Sequence, residues 1–319
     1  MQPDLRSLRE LEHSFYRAPS AHNTQPWLLD YTPGRIDLRF DPDRHLAAGD
    51  PTRRDLLLGL GAFVEAVLIV AASEGVALTF DAVPSGEEVG RFVTADGPFE
   101  TPFMRDDVER RQTSRLGYRP GRLEVPLLAA ARRHLGEREE LHELPSRDVL
   151  PLFAAADRQV YESQPVVAEL RRWLRLSKRH PDYFRDGLTY ECLGLSAVEA
   201  QLLALLLRPR VFPLVRAARL HRLFASAGTA LLDVDGSMLV LERAGDDERE
   251  LLESGRTLLR VWLELSRAGV FTHPLSQIID HSATEAELAR RIDLPEGRRI
   301  LCVFRAGRSE PPPRSQRLA

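Results

Sequence analysis

Lysine is almost absent: of 44 basic residues only Lys178 is lysine, and the rest are arginine. Arginines four apart therefore recur as background, as at Arg35/Arg39, Arg171/Arg175 and Arg256/Arg260, and an arginine cluster means little by itself. Arg171 and Arg175 read as ordinary helix-surface residues. Cysteine is scarce too. Cys192 and Cys302 lie in no CxxC and near no histidine pair at ligand spacing, which argues against zinc and a disulfide framework, so no metal is expected. The longest apolar runs, near Ala66–Ala72 and Leu202–Leu207, fall short of the roughly 20 residues a bilayer span needs. Met1 to Glu12 is polar and charged, with no apolar leader, and the expected location is cytoplasmic. The net charge of −3 exerts no general pull toward nucleic acid or an acidic membrane, so neither is an expected partner. What remains is 319 residues with 43% hydrophobic content, enough for a sizeable core in one large domain or two ordinary ones.

Leu5, Leu8, Leu11 and Phe15 form one stripe, predicting a helix over 4–17 that Ala18-Pro19-Ser20 ends. A strand pair follows around Trp27–Tyr31 and Ile36–Phe40, split by Pro33-Gly34. A long apolar helix spans 52–74, with strands near 76–83 and 89–95 and a linker at 96–102. Helices are expected over 103–116, 124–135, 146–178, 195–225, 247–268 and 284–292, with strands over 237–243 and 299–304. An internal repeat is visible: Gly61 to Gly75 and Gly255 to Gly269 each bracket an apolar helix at the same spacing. Two buried helices with a C-terminal glycine can look alike without kinship. Helices interleaved with single strands favour a layered α+β fold.

The most specific segment is Ala18-Pro19-Ser20-Ala21-His22-Asn23-Thr24-Gln25-Pro26-Trp27. Ser20, Asn23 and Gln25 supply donors and acceptors, two prolines stiffen the ends, and Trp27 offers a large aromatic face. Such a segment suits a planar heteroaromatic ligand edged with carbonyl and N–H groups; the bland reading is a capped helix-to-strand turn. Arg111 and Arg115, one helical turn apart, match a dianionic phosphate, with Thr113 between them as a possible hydroxyl donor. Arg305 and Arg308 either complete that charge balance or form a solvated strand end. His22 and His273 read as turn and loop residues by default, Cys192 as a buried free thiol. Asp233 and Asp235 lack the rest of a calcium loop.

The decapeptide 18–27 resembles the A-P-S-x-x-N-x-Q-P-W turn of the nitroreductase superfamily. Arg111-Gln112-Thr113-Ser114-Arg115 is similar to that family's R-x-[ST]-x-R clamp. His273-Pro274-Leu275-Ser276-Gln277 resembles its proline-containing loop, and Val303–Arg308 its closing strand. The order departs from ordinary members, in which the clamp precedes the turn. With the repeated helix, this is most similar to the twin-domain, Acg-like branch. The resemblance implies a three-layer α/β/α nitroreductase-like fold made of two fused, subunit-like halves, a pseudo-dimer, with residues 1–100 carrying the turn and 101–319 the clamp. Residues 178–228, with Tyr183, Phe184, Tyr190, Phe212 and Phe224, form the candidate lid insertion. It implies one FMN, held by Ser20, His22, Asn23, Gln25, Trp27, Arg111, Thr113, Arg115, Pro274, Leu275, Ser276, Arg305 and Arg308. It implies an oxidoreductase using NAD(P)H or an organic substrate, in a monomeric pseudo-dimer or a homodimer. The alternative is a flavin-sequestering or redox-responsive protein whose lid covers the cofactor. No catalytic residue is singled out.

Overall fold

The computed structural model describes residues 5–219, 234–245 and 247–318. The expectations placed on 220–228, Phe224 among them, and on Asp233 lie outside the described residues. The chain divides into two units: Met1–Arg111 with Asp246–Arg267 and Arg317–Ala319, and Gln112–Gly245 with Ala268–Gln316. This division differs from a cut at residue 100. The first unit runs to Arg111 and recruits a helix from far along the chain.

In the first unit, β1 (Trp27–Thr32), β2 (Arg35–Phe40), β3 (Leu78–Ser85) and β4 (Glu88–Thr94) form an antiparallel sheet in the order β1-β2-β4-β3. Pro33-Gly34 makes the first hairpin, because Pro presets the first turn position and Gly34 takes the positive φ of 77° at the second. The Leu5 stripe is realised as a 3-10 helix, Leu5–Leu11, continuing into the short α-helix Glu12–Phe15.

The helix Arg54–Ser73 starts where the Asp50 carboxylate accepts the Leu56 N–H at 2.8 Å and stops before Gly75, which takes a φ of 73°. By length and composition it could cross a membrane, a point that run-counting missed; 89% of its apolar window is buried inside the protein, as in a core helix.

Its mate is the helix Glu248–Arg267, and the crossing is reciprocal. A Cβ on Gly61 would lie 2.0 Å from the Leu252 carbonyl oxygen, and a Cβ on Gly255 would lie 2.3 Å from that of Leu58. Both glycines sit three residues beyond the carbonyl that their partner meets. Such i-to-j and j-to-i contact is the pattern of a two-fold axis. Glu65, fully buried in the first helix, receives Arg256 at 2.8 Å and Arg260 at 3.5 Å from the second. The Arg256/Arg260 spacing is thus not background: it neutralises a buried carboxylate.

In the second unit, β5 (Glu139–Pro145), β8 (Ser237–Ala244), β10 (Arg298–Gly307) and β9 (Phe271–Pro274) form an antiparallel sheet in the order β5-β8-β10-β9. A core of Val149, Leu152, Phe153, Val240, Leu275, Ile278 and Val303 joins the sheet to the helix Ser146–Glu162 and to the helices Gln277–Asp280 and Ser282–Arg291. The expected helix over 146–178 breaks at Ser163 and ends at Trp173. There a short parallel pair begins, β6 (Leu174–Arg175) with β7 (Leu188–Thr189).

Arg175 is therefore no surface residue. It is buried and paired with buried Asp186 at 2.5 Å. The described part of the lid candidate, including the helices Ala197–Leu206 and Phe212–Ala217, shares an apolar cluster of Val167, Leu174, Leu188, Leu207, Phe212 and Val215 with the helix Gln164–Trp173 and β6.

Candidate functional site

The decapeptide forms a strained, internally hydrogen-bonded turn in the first unit. His22, Asn23 and Gln25 all take left-handed backbone conformations, with φ of 47°, 56° and 51°. Side chains other than glycine seldom stay there unless their surroundings hold them. The Ser20 hydroxyl accepts the Gln25 backbone N–H at 2.9 Å, and the Asn23 N–H reaches the Ser20 carbonyl at 3.0 Å. Asn23 is nearly buried and Gln25 fully so.

The C-terminal segment completes the turn. Arg317 donates to the Asn23 Oδ1 at 2.8 Å and to the backbone carbonyls of Tyr16 at 2.5 Å and Arg17 at 3.3 Å. The Leu318 N–H donates to the Gln25 Oε1 at 2.9 Å. In a chain this rich in arginine, Arg317 carried no signal of its own.

Trp27 is placed differently from a cofactor platform. Its ring is buried and stacked on Phe63, centroids 4.4 Å apart, so that face is core.

The helical pairing expected of Arg111 and Arg115 does not form. The helix stops at Arg110, and Arg111 has a ψ of 129°, outside the helical range. Aspartates at the start of that helix suit its N-terminus, but Met104 sets its beginning and only six residues follow. Arg111 belongs to the first unit, where it is buried, donates to the Arg17 carbonyl at 3.2 Å and lies 5.9 Å from the Trp262 ring centroid. Burial, aided by the like charge of Arg17, pushes its pKa down to about 10. A desolvated guanidinium in this state gains from any anion brought to it.

Arg115 belongs to the second unit, with Thr113, Arg305 and the 273–276 loop. Thr113 forms a parallel bridge to Thr272. Arg305 stands opposite His273 in the β10–β9 ladder, 3.9 Å over the Tyr118 ring centroid, and donates to the Leu116 carbonyl at 2.7 Å. Burial lowers the pKa of Arg115, and of Arg305, which Arg115 lowers further by like charge. His273 falls well below its ordinary value through burial and then through Arg115 and Arg305, so it is neutral near pH 7. Among the described residues Arg115 forms no ion pair. Three buried polar atoms on the segments joined by this bridge have no hydrogen-bond partner among the described residues: Gln112 Oε1, Thr272 Oγ1 and His273 Nδ1. Such orphans are rare in folded proteins and call for a ligand or an ordered water.

The other residues of this set divide. Pro274 closes β9 opposite Phe304, and Ser276 precedes the helix Gln277–Asp280. Leu275 is a core side chain whose N–H donates to the Val303 carbonyl at 2.7 Å. Arg308 is exposed and meets Glu124 at 3.4 Å, which is the solvated strand end.

No family profile matches the chain. The acg protein of Mycobacterium tuberculosis, assigned by name to the NAD(P)H nitroreductases, is 27% identical over a stretch covering 94% of this chain and 90% of that protein. PigM of Serratia sp. strain ATCC 39006, similarly assigned, is 24% identical over 87% of this chain and 82% of its own length. A second M. tuberculosis protein of the same assignment is 30% identical, but the chain spans only 35% of its length. Among solved structures, the FMN- and NADPH-dependent nitroreductase NfnB of a Sphigopyxis strain aligns at 15% identity with a TM-score of 0.37, covering 66% of this chain and 93% of that one. NfnB of Mycobacterium smegmatis, solved with NADPH, aligns at 14% with a TM-score of 0.38, covering 66% and 92%. These structural likenesses are too distant to carry an argument.

Proposed function

The chain is a member of the nitroreductase superfamily, and from that premise we propose that it is an FMN-binding oxidoreductase. In this reading it is a cytoplasmic protein that passes electrons from a reduced nicotinamide, or from an organic substrate, to an acceptor through a single flavin. The carrying observation is the set of orphaned polar atoms, Gln112 Oε1, Thr272 Oγ1 and His273 Nδ1, in the same unit as an arginine, Arg115, that has no ion pair among the described residues. A phosphate-bearing polar cofactor answers both needs at once.

The donor set fits FMN. In the second unit Arg115 and Arg305 are desolvated cations suited to a phosphate, and in the first unit the amides of Asn23 and Gln25 are held in fixed conformations. Arg317 and Ser20 act on the turn itself and fix its geometry, so these side chains need no reorganisation on binding. When bound, the flavin supplies hydride transfer at N5, and the protein supplies position and electrostatics. Neutral His273 and the aromatic Tyr118 keep the surroundings of the two arginines largely uncharged, which strengthens their pull on an anion.

Flavin released by denaturation of the purified protein should amount to about one FMN per chain. Two per chain would overturn the single-site reading, and none after reconstitution would overturn the FMN reading. Steady-state oxidation of NADPH with a quinone should then proceed. A loaded protein without turnover would instead be a flavin store.

A further inference from the structure

One cluster in the second unit plays no part in the flavin reading. On the β5–β8 ladder Glu140 stands directly opposite Glu242, and His142 lies two residues along β5 on the same face. Two carboxylates directly opposite one another repel and weaken the pairing, and Arg298 lies close enough to feel both. Glu242 is fully buried, at the margin of the apolar core to which Val240 and Ile300 belong. A buried carboxylate there is costly unless every lone pair is used.

Arg298 uses one side of it, donating from Nε to Glu242 Oε2 at 2.5 Å. Among the described residues the other oxygen, Oε1, has no hydrogen-bond partner, nor does the neighbouring His142 Nε2, an atom that is also buried. These two atoms lie 3.6 Å apart, and His142 Nε2 lies 3.9 Å from Glu140 Oε1. All three ligand atoms fall within 4.8 Å of one another. An imidazolium bound to carboxylates would close to about 2.8 Å. Tetrahedral ligands on a metal with bonds near 2.1 Å stand about 3.4 Å apart. The two His142 distances lie nearer to that ligand spacing than to hydrogen-bond contact.

We propose that Glu140, His142 and Glu242 form a divalent transition-metal site of the zinc type. Solvent supplies the remaining ligand beside the exposed Glu140. One imidazole with two carboxylates and no thiolate suits Zn²⁺ or Co²⁺ better than a soft Cu(I) or a purely oxygen-loving Mg²⁺. Arg298 orients Glu242 from behind, the role that outer-shell partners of a ligating carboxylate commonly play. The ion pins the edge strand β5 to β8 and offsets the facing carboxylates. Its role is structural and separate from flavin chemistry.

The test is Zn²⁺ titration of the full-length, chelator-treated protein against a chromophoric competitor, with Co²⁺ absorption as a second readout. One site per chain is expected, and saturating Zn²⁺ should raise the unfolding temperature. His142→Ala should weaken binding about a hundred-fold or more. Glu140→Gln, at an exposed position that leaves the core untouched, should weaken it about ten-fold or more. Zn²⁺ affinity that is the same in both variants as in the parent, or absent from the parent, overturns the proposal. So does a His142 ring NMR signal that saturating Zn²⁺ leaves unmoved. Flavin content is expected to be the same with and without the metal.

Discussion

Replacing Gly61 by alanine tests the reciprocal helix crossing directly. The new methyl carbon would stand 2.0 Å from the Leu252 carbonyl oxygen and 2.8 Å from its carbon, and both are backbone atoms of a well-packed helix. Ordinary contact begins near 3.4 Å, so the two helices must separate locally by more than 1 Å, loosening the buried seam. Overpacking of this kind costs about 1–3 kcal/mol, and a rigid obstacle puts this case at the upper end. Against it stands about 1 kcal/mol gained from alanine's better helix propensity. The net expectation is a loss of about 2 kcal/mol, a fall of about 4–8 °C in Tm. Gly59, two residues earlier on the same helix, is the control. A Cβ there meets nothing closer than 3.6 Å, so Gly59→Ala should be neutral or stabilising by up to about 1 kcal/mol. The double mutant Gly61→Ala with Gly255→Ala should cost less than the sum of the singles, because the first substitution already parts the helices. Thermal and urea unfolding measure all four. If Gly61→Ala and Gly59→Ala behave alike, the crossing is not where the glycines put it.

Three further outcomes are expected. Arg115→Ala should weaken FMN binding by about 2–3 kcal/mol, or about 30–150-fold, whereas Arg308→Ala, at an exposed ion pair, should change it only a few-fold in flavin titration. Arg175→Ala strands buried Asp186 and should destabilise the protein by about 3–5 kcal/mol in urea unfolding while leaving flavin affinity per folded molecule unchanged. Burial, with the charge of Asp55, raises the Asp50 pKa from 3.8 to about 6, so its contribution to stability is fully present below pH 3.8 and lost as the pH rises through 6. Asp50→Asn keeps an acceptor for the Leu56 N–H. It should match the parent near pH 3.5 and exceed it by about 2–3 kcal/mol at pH 8, and a pH-independent difference would refute the assignment.

The sequence announced its local features and hid those that depend on distant partners. The Pro33-Gly34 hairpin and the glycine-bracketed helices were legible because each is encoded in a few adjacent residues. The edge strand β5 was not, since Glu139–Pro145 reads as polar. Its side chains answer to Glu242 and Arg243 across the ladder, not to an apolar period. Nor was the four-residue strand β9, which passes for a loop around Pro274. The Glu248–Arg267 helix was found, but its membership was not. Its glycine seam fits the Leu58–Gly61 stretch, so a cut at residue 100 separates what packing joins. Arginine abundance blurred the rest. It made Arg256 and Arg260 look accidental, Arg175 look exposed and Arg317 look irrelevant, though all four hold buried groups.

The turn at 18–27 is where the local and the distant meet. Left-handed φ at His22, Asn23 and Gln25 costs on the order of 1–3 kcal/mol per residue, more than a surface turn would retain without compensation. The compensation comes from Ser20 within the turn and from Arg317 and Leu318, almost 300 residues away in sequence. A merely structural link between a helix and β1 could be made from a glycine or two at far lower cost. The chain instead holds two amide side chains, buried and immobile, with a guanidinium reaching from the far end of the sequence. Strain maintained by so long a reach is what preorganised binding requires: the ordering cost is met during folding, and an incoming ligand does not meet it again.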